Sequence, residues 1–253
     1  MELGRFIFWT AMKTLSLVFL GLLAAKAVSA LQVQKSKQLP WLRGVLYIAT
    51  IVLVGLGARS LGYDVASENY ARTSQMNLAE GQLDKAHSNA LRAVELRPGV
   101  LRYWQALARA KFALRQFNSL VRDEPVFLSL SGGELDEEGA YRVAASYYFL
   151  AQYDLTTTLT REMIKKNRAY AAPYVLQGYA YTAERRYAEA ERTFLEVLQM
   201  FPTQQSAVEG LAHLYFIAGN TAGSLAVLEQ TSKFRFPTEA RQRFEDLKAL
   251  YAQ

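Results

Sequence analysis

The chain has 253 residues, with 29 Lys and Arg against 23 Asp and Glu, and it contains two His and no Cys. Without cysteine there is no disulfide and no thiol nucleophile, and His87 and His213 alone leave no His/Cys metal set. The net charge of +6 is concentrated in residues 1–63, where Arg5, Lys13, Lys26, Lys35, Lys37, Arg43 and Arg59 stand against Glu2 alone. The remaining 190 residues therefore carry 22 charges of each sign. A basic excess lying beside apolar segments, with a neutral remainder, excludes a nucleic-acid surface.

Two apolar segments come first, over residues 6–31 and 41–61. Lys13 and Lys26 interrupt the first, and Arg43 and Arg59 the second, leaving charge-free cores at 14–25 and 44–58. A membrane-crossing helix needs about 20 apolar residues, and flanking Lys and Arg stems reach the interface, so both segments are expected to span a bilayer. The polar stretch 32–40 closes the helical hairpin. The first segment also fits a secretory signal peptide ending at Val28, Ser29 and Ala30, although Lys26 sits between the apolar run and that site. An interfacial helix over 1–13, with Phe6, Phe8 and Trp9 at headgroup depth, is a further alternative.

The hairpin turn groups Lys26, Lys35, Lys37 and Arg43, whereas on the other side Arg59 and Arg72 lie at or beyond the end of the second span and Arg5 and Lys13 precede or enter the first. The positive-inside rule then puts the turn in the cytoplasm and both termini outside. The expected location is a bacterial inner membrane, with the rest of the chain extracytoplasmic, on the periplasmic side. Residues 1–63 form the expected anchor and 64–253 a second domain.

Beyond residue 63 a pattern returns about every 34 residues. Its first copy has Tyr70, Gly81, Ala86, Ala93 and Pro98, and Trp104, Leu107, Ala108 and Phe117 open the second. The second copy ends irregularly at Pro125, and residues 126–130 are expected as an apolar loop whose more favoured role is packing. Two extra residues near Gly132 and Gly133 restore the register. Ala144, Tyr147 and Tyr153 carry the third copy, with Thr156 at a small-residue position. The fourth is clearest: Tyr174, Gly178, Tyr181, Tyr187, Ala190, Phe194 and Pro202. The fifth has Leu211, Ala212, Tyr215 and Gly219, with Pro237 at its expected stop. Residues 238–253 form a capping helix through an N-cap at Thr238 and an apolar stripe of Phe244, Leu247, Leu250 and Tyr251. Small residues at such steps let antiparallel helices touch, and aromatics fill the space between them. The acidic run Glu134, Asp136, Glu137 and Glu138 reads as a helix opening and not as a metal or acid/base cluster.

The stretches NLAEGQLDKAHSNALRAVELRP (77–98) and YVLQGYAYTAERRYAEAERTFLEVLQMFP (174–202) resemble the tetratricopeptide repeat (TPR) family, and the resemblance extends over roughly residues 67–252. It implies about five helix pairs forming an α-solenoid; with the N-terminal transmembrane hairpin read from the apolar segments and the C-terminal capping helix, the expected fold is all-α. It also implies a peptide-binding groove lined by fixed positions of each first helix. These map to Arg102, Gln105, Arg109 and Phe112, then Tyr141, Tyr148 and Phe149, then Val175 and Tyr179, then Glu209, His213 and Phe216. None of these is Lys or Asn, so the clamp that family members use on the acidic tail of heat-shock chaperones is missing.

Neither a catalytic constellation nor a cofactor or metal motif is present in the sequence. The expectation is a non-enzymatic, membrane-anchored scaffold whose groove holds a protein partner. Residues 1–63 would meet lipid and other transmembrane subunits, as in an accessory subunit of a membrane complex. The alternative is a transient assembly factor or chaperone-like adaptor.

Overall fold

The computed structural model describes Lys26 and residues 40–252. Among them it shows helices only: α1 (Pro40–Ala79), α2 (Leu83–Leu96), α3 (Leu101–Ala113), α4 (Phe117–Arg122), α5 (Glu124–Leu130), α6 (Glu137–Phe149) and α7 (Tyr153–Lys166). They continue with α8 (Ala171–Ala183), α9 (Tyr187–Met200), α10 (Gln205–Ile217), α11 (Thr221–Gln230), a 3-10 turn (Thr231–Lys233) and α12 (Thr238–Tyr251). By packing they form two units, the first ending at Leu107 and the second beginning at Ala108.

In the first unit, α1 is a single helix of 40 residues, about 60 Å long. The second apolar segment, expected over 41–61, lies inside it, and the expected domain boundary after residue 63 falls where the helix continues unbroken. No proline follows Pro40, and Ser67, Ala71 and Ser74 bury their faces as α2 packs along the C-terminal half. The Ser74 hydroxyl donates to the Ala86 carbonyl of α2 at 2.7 Å, which is possible only where both helices carry small side chains. Ala90, Ala93, Val94, Tyr103, Ala106 and Leu107 complete this core. The first apolar segment, Lys26 apart, and most of the hairpin turn lie outside the described residues.

In the second unit each helix packs on its successor from α6 to α12, and the first helices α6, α8 and α10 also touch one another in turn. Phe194 of α9 is fully buried, and its burial contributes about 2 kcal/mol. Its ring occupies the space left by two glycines. A Cβ on Gly178 of α8 would lie 2.7 Å from the ring, and one on Gly210 of α10 would lie 2.5 Å away. The glycines therefore serve helix contact.

The turns between paired helices share one geometry. Gly81, Arg115, Ala151, Arg185 and Gly219 have φ of 74°, 58°, 58°, 60° and 81°. In each turn this residue's N–H bonds a carbonyl three residues back, as Arg185 does to Thr182 at 3.0 Å. The next N–H bonds a carbonyl five residues back, as Arg186 does to Tyr181 at 2.8 Å. This is the Schellman motif. The residue recurs at steps of 34, 36, 34 and 34, so the two-residue insertion at Gly132 and Gly133 appears directly in the turn spacing.

Four sequence expectations are corrected. Residues 126–130 are helical, within α5, and Phe127 is buried, so the segment packs and does not loop. The break is confined to Asp123, whose carboxylate pairs with Lys111 at 2.5 Å, while Pro125 occupies the first turn of α5, where its missing N–H costs nothing. The second helix of the fifth pair stops at Gln230, well before Pro237, and Pro237 instead occupies the N-cap position of α12, with no side-chain cap from Thr238. Leu250 is 56 % exposed, because the buried stripe of α12 runs through Ala240, Phe244, Leu247 and Tyr251 at helical spacing and leaves Leu250 to one side. The acidic run does open a helix: the Asp136 carboxylate accepts from Gly139 N at 3.3 Å, and Glu134 pairs with Lys166 at 2.6 Å.

Glycine at each of the three strained turns, in Arg115→Gly, Ala151→Gly and Arg185→Gly, should raise stability by about 0.5–1 kcal/mol, read as a higher urea midpoint with an unchanged slope. Tyr147 donates to Glu124 at 2.6 Å and Tyr215 to Glu191 at 2.5 Å, bracing neighbouring elements. Burial and these carboxylates push both phenols up to about 12 from the ordinary 10. The fold therefore holds the phenolic protons more tightly than the unfolded chain. Their contribution is complete below pH 10 and falls away as pH rises toward 12. Urea midpoints measured across that interval should fall less steeply for Tyr147→Phe/Tyr215→Phe than for the parent.

Candidate protein-binding groove

The first unit holds two of the expected groove residues, Arg102 and Gln105, both on α3. Arg102 bonds Glu68 of α1 at 2.8 Å, and its guanidinium lies 5.0 Å from the Tyr103 ring centroid. It is engaged within the repeat, clamping α3 to α1. Gln105 is half-buried.

The second unit holds the rest. Arg109 is half-buried, and its Nε is buried without a hydrogen-bond acceptor. Its charge helps to hold the Glu138 carboxyl below its ordinary range, after the direct bond from Arg142. Next to it begins a chain of rings. Phe112 meets Phe117 at 5.6 Å and Phe149 at 6.4 Å, and Phe117 stacks on Phe149 at 4.5 Å. Phe149 touches Tyr148 at 5.5 Å, Tyr148 faces Tyr179 at 6.5 Å, and Tyr179 stands edge-on to Phe194 at 5.4 Å. Of the expected aromatic positions, Phe112, Phe149, Tyr148 and Tyr179 thus form one connected row from α3 to α8, which Phe194 of α9 continues.

Within that row, packing and accessibility separate. The Tyr179 hydroxyl donates to the Ser206 carbonyl at 2.9 Å, and burial, ahead of the nearby Glu209 charge, pushes its phenol well above the ordinary range. Tyr179 therefore ties α8 to α10. Val175 is buried in the same core. Burial also raises the phenols of Tyr141 and Tyr148, and Tyr141 packs toward Tyr170 at 6.2 Å. Phe149, by contrast, remains 49 % exposed despite its stack.

At the C-terminal end, Phe216 stacks on Tyr251 of α12 at 4.3 Å and remains 38 % exposed. The Tyr251 hydroxyl approaches His213 Nδ1 at 3.4 Å, and Glu209 binds Arg243 of α12 at 2.8 Å. Tyr251 and Arg243 were not among the residues expected here. Arg243 was legible, because it stands 34 residues after Glu209, in the column formed by Tyr141, Val175 and Glu209. Reading α12 only as a cap hid its place as one more first helix. His87, on α2, is half-buried and outside this row.

A cavity of about 470 Å³ opens between α9, α10 and α11, lined by Leu198, Val208, Leu211, Val227 and Phe236 with Gln199 and Asn220 among its polar groups. It adjoins second helices α9 and α11.

No family model and no curated protein matches the sequence. Solved structures do. A tetratricopeptide repeat protein from Parabacteroides merdae superposes with a TM-score of 0.64 at 16 % identity, over 81 % of each chain. A thermophilic TPR protein of Thermus thermophilus gives 0.57 at 20 % identity, over 74 % of this chain and 97 % of that one. YrrB, described as a TPR protein with an unusual peptide-binding site, gives 0.50 at 16 % identity, over 63 % of this chain and 81 % of that one. At these identities the likeness concerns architecture, and the architecture of the described residues is that of a tetratricopeptide repeat protein.

Proposed function

We propose that the chain is a non-enzymatic, membrane-anchored scaffold that holds a segment of a partner protein in the groove of its repeats. The observation that carries this reading is α1. Its residues 48–58 are uncharged and mostly exposed, with Ile51 at 69 % and Leu53 at 65 %, and they run into the first repeat without a break. A window within Ile48–Ala79 has a mean hydropathy of 1.4 with none of it buried, which is long and apolar enough to cross a bilayer. A large exposed apolar surface needs a covering of lipid or protein, and hydrocarbon suits one that surrounds a helix. The repeat side is supported by the fold, since one structural neighbour carries a peptide-binding site.

The groove would grip by burial on Phe149 and Phe216, with Arg109 offering a guanidinium to a carboxylate or main-chain carbonyl. Lys13 and Lys26, charges within the first apolar segment, favour a permanent accessory subunit with transmembrane neighbours over a transient assembly factor. The grouping of Lys26, Lys35, Lys37 and Arg43 at the hairpin turn supports an extracytoplasmic side for the repeats.

After detergent extraction, a partner should co-purify in fixed ratio. Phe149→Ala/Phe216→Ala should weaken its capture by about 10-fold or more, as expected for removing two anchors of ~1 kcal/mol each, with the helical circular dichroism unchanged. Loss of helicity would mark them as core instead. Because the chain lacks cysteine, Lys35→Cys and Gln253→Cys report topology directly. They should label from opposite faces of the membrane, with Lys35→Cys reached from the cytoplasm, and labelling from one face would refute the hairpin.

A further inference from the structure

The end of the first unit beside the apolar half of α1 carries a feature that spanning alone does not require. Arg97 leaves the C-terminus of α2 and reaches back to α1, donating through Nη2 to the Ser60 carbonyl at 2.5 Å and the Ser60 hydroxyl at 2.7 Å. Its Nε pairs with Asp64 at 2.8 Å. The connection from α2 to α3, residues 97–100, is thereby held at the height of Ser60, one residue past the charge that ends the apolar run. Its tip is Pro98 and Gly99, both exposed, followed by half-buried Val100 and Leu101. Trp104 of α3 closes over this tip and donates its indole N–H to the Pro98 carbonyl at 2.7 Å. On α1 the exposed Arg59 donates to the Tyr63 hydroxyl at 2.8 Å, with its guanidinium 5.3 Å from the ring.

From this geometry we infer a membrane-facing foot: residues 97–100 and Trp104 rest in the phospholipid headgroup layer of the leaflet into which Arg59 emerges. The inference rests on the reading of α1 as a span. If residues 40–58 fill the hydrocarbon, about 30 Å thick, then Arg59 and Ser60 stand at its boundary, and whatever is bonded to Ser60 stands there too. The chemistry fits that depth. Trp and Tyr rings settle at headgroup level with their polar ends wet, an arginine meets phosphate, and a Pro-Gly tip with Val100 and Leu101 offers apolar surface and little charge. The acidic groups of this end are neutralised: Asp64 by Arg97, Glu68 by Arg102, and Glu95 by Arg92 at 3.0 Å. A spanning helix can turn and tilt in the bilayer. A second contact, off that axis, holds the first repeat at one height and one rotation.

The chain has three tryptophans, Trp9, Trp41 and Trp104, so each can be made the sole emitter in the full-length protein. The Trp9→Phe/Trp41→Phe protein, keeping Trp104, and the Trp9→Phe/Trp104→Phe protein, keeping Trp41 in the first turn of α1, are reconstituted in phosphatidylcholine vesicles. Part of the lipid carries a nitroxide on its headgroup. The expected result is that Trp104 loses a fraction of its emission comparable to that lost by Trp41, and that soluble iodide loses access to Trp104 on moving from detergent to vesicles. If Trp41 is quenched while Trp104 is not, the span stands and the foot is overturned, the tip then facing solvent or a protein. If neither is quenched, the span itself fails and the foot with it.

Discussion

Everything in the repeat domain depends on a chain reversal that one residue makes in the left-handed region. Five times, at Gly81, Arg115, Ala151, Arg185 and Gly219, a helix ends in that conformation and its last carbonyls are satisfied by the two following N–H groups. The reversal sends the next helix back along the one before, and small residues set how close the two come. Three of the five positions carry side chains that disfavour the conformation by about 1 kcal/mol each. Packing on both sides of the turn outweighs that strain. The single departure from the period, at Gly132 and Gly133, is absorbed in a loop and leaves the reversals intact.

Close approach then decides what the aromatic residues do. Phe194 fills the gap between α8 and α10 because Gly178 and Gly210 give up their side chains to it. Tyr179 leans on that ring and commits its hydroxyl to Ser206, so a position that the family pattern assigns to ligand contact serves here to join repeats. Phe149, on that row, and Phe216, stacked on Tyr251, stay open. Which part of the row stays exposed is therefore set by which rings the neighbouring helix covers.

The continuity of α1 ties anchor and repeat together in our reading. A flexible linker would let the groove wander, whereas a helix without a break transmits position and rotation from the apolar half to the first repeat. The Arg97 bonds to Ser60 and Asp64 brace the junction from the other side. The same bonds turn a loop of the first repeat toward the level at which the apolar surface stops.

Much of this was legible in the sequence, because the repeat is a periodic, local signal. The pairing of helices, the insertion and the capping helix follow from residues a fixed step apart, the groove positions are what the family resemblance implies, and the clustering of charge in residues 1–63 is a matter of composition. Tertiary structure decided what depends on residues distant in sequence. It carried α1 past the end of its apolar run to Ala79, since Ser67, Ala71 and Ser74 extend it only once α2 lies against them. It kept residues 126–130 helical through the burial of Phe127, and it placed Arg115, Ala151 and Arg185 in a conformation their side chains do not announce. It also put Arg243 beside Glu209 and Tyr251 on Phe216, where α12 packs as one more first helix as well as capping the repeats. The sequence by itself determined that the chain is built of helix pairs and how often they recur, because helix pairing is written in spacing. Which aromatic residues pack and which remain exposed was decided only by the fold, because burial belongs to the neighbour that covers a residue and not to the residue itself.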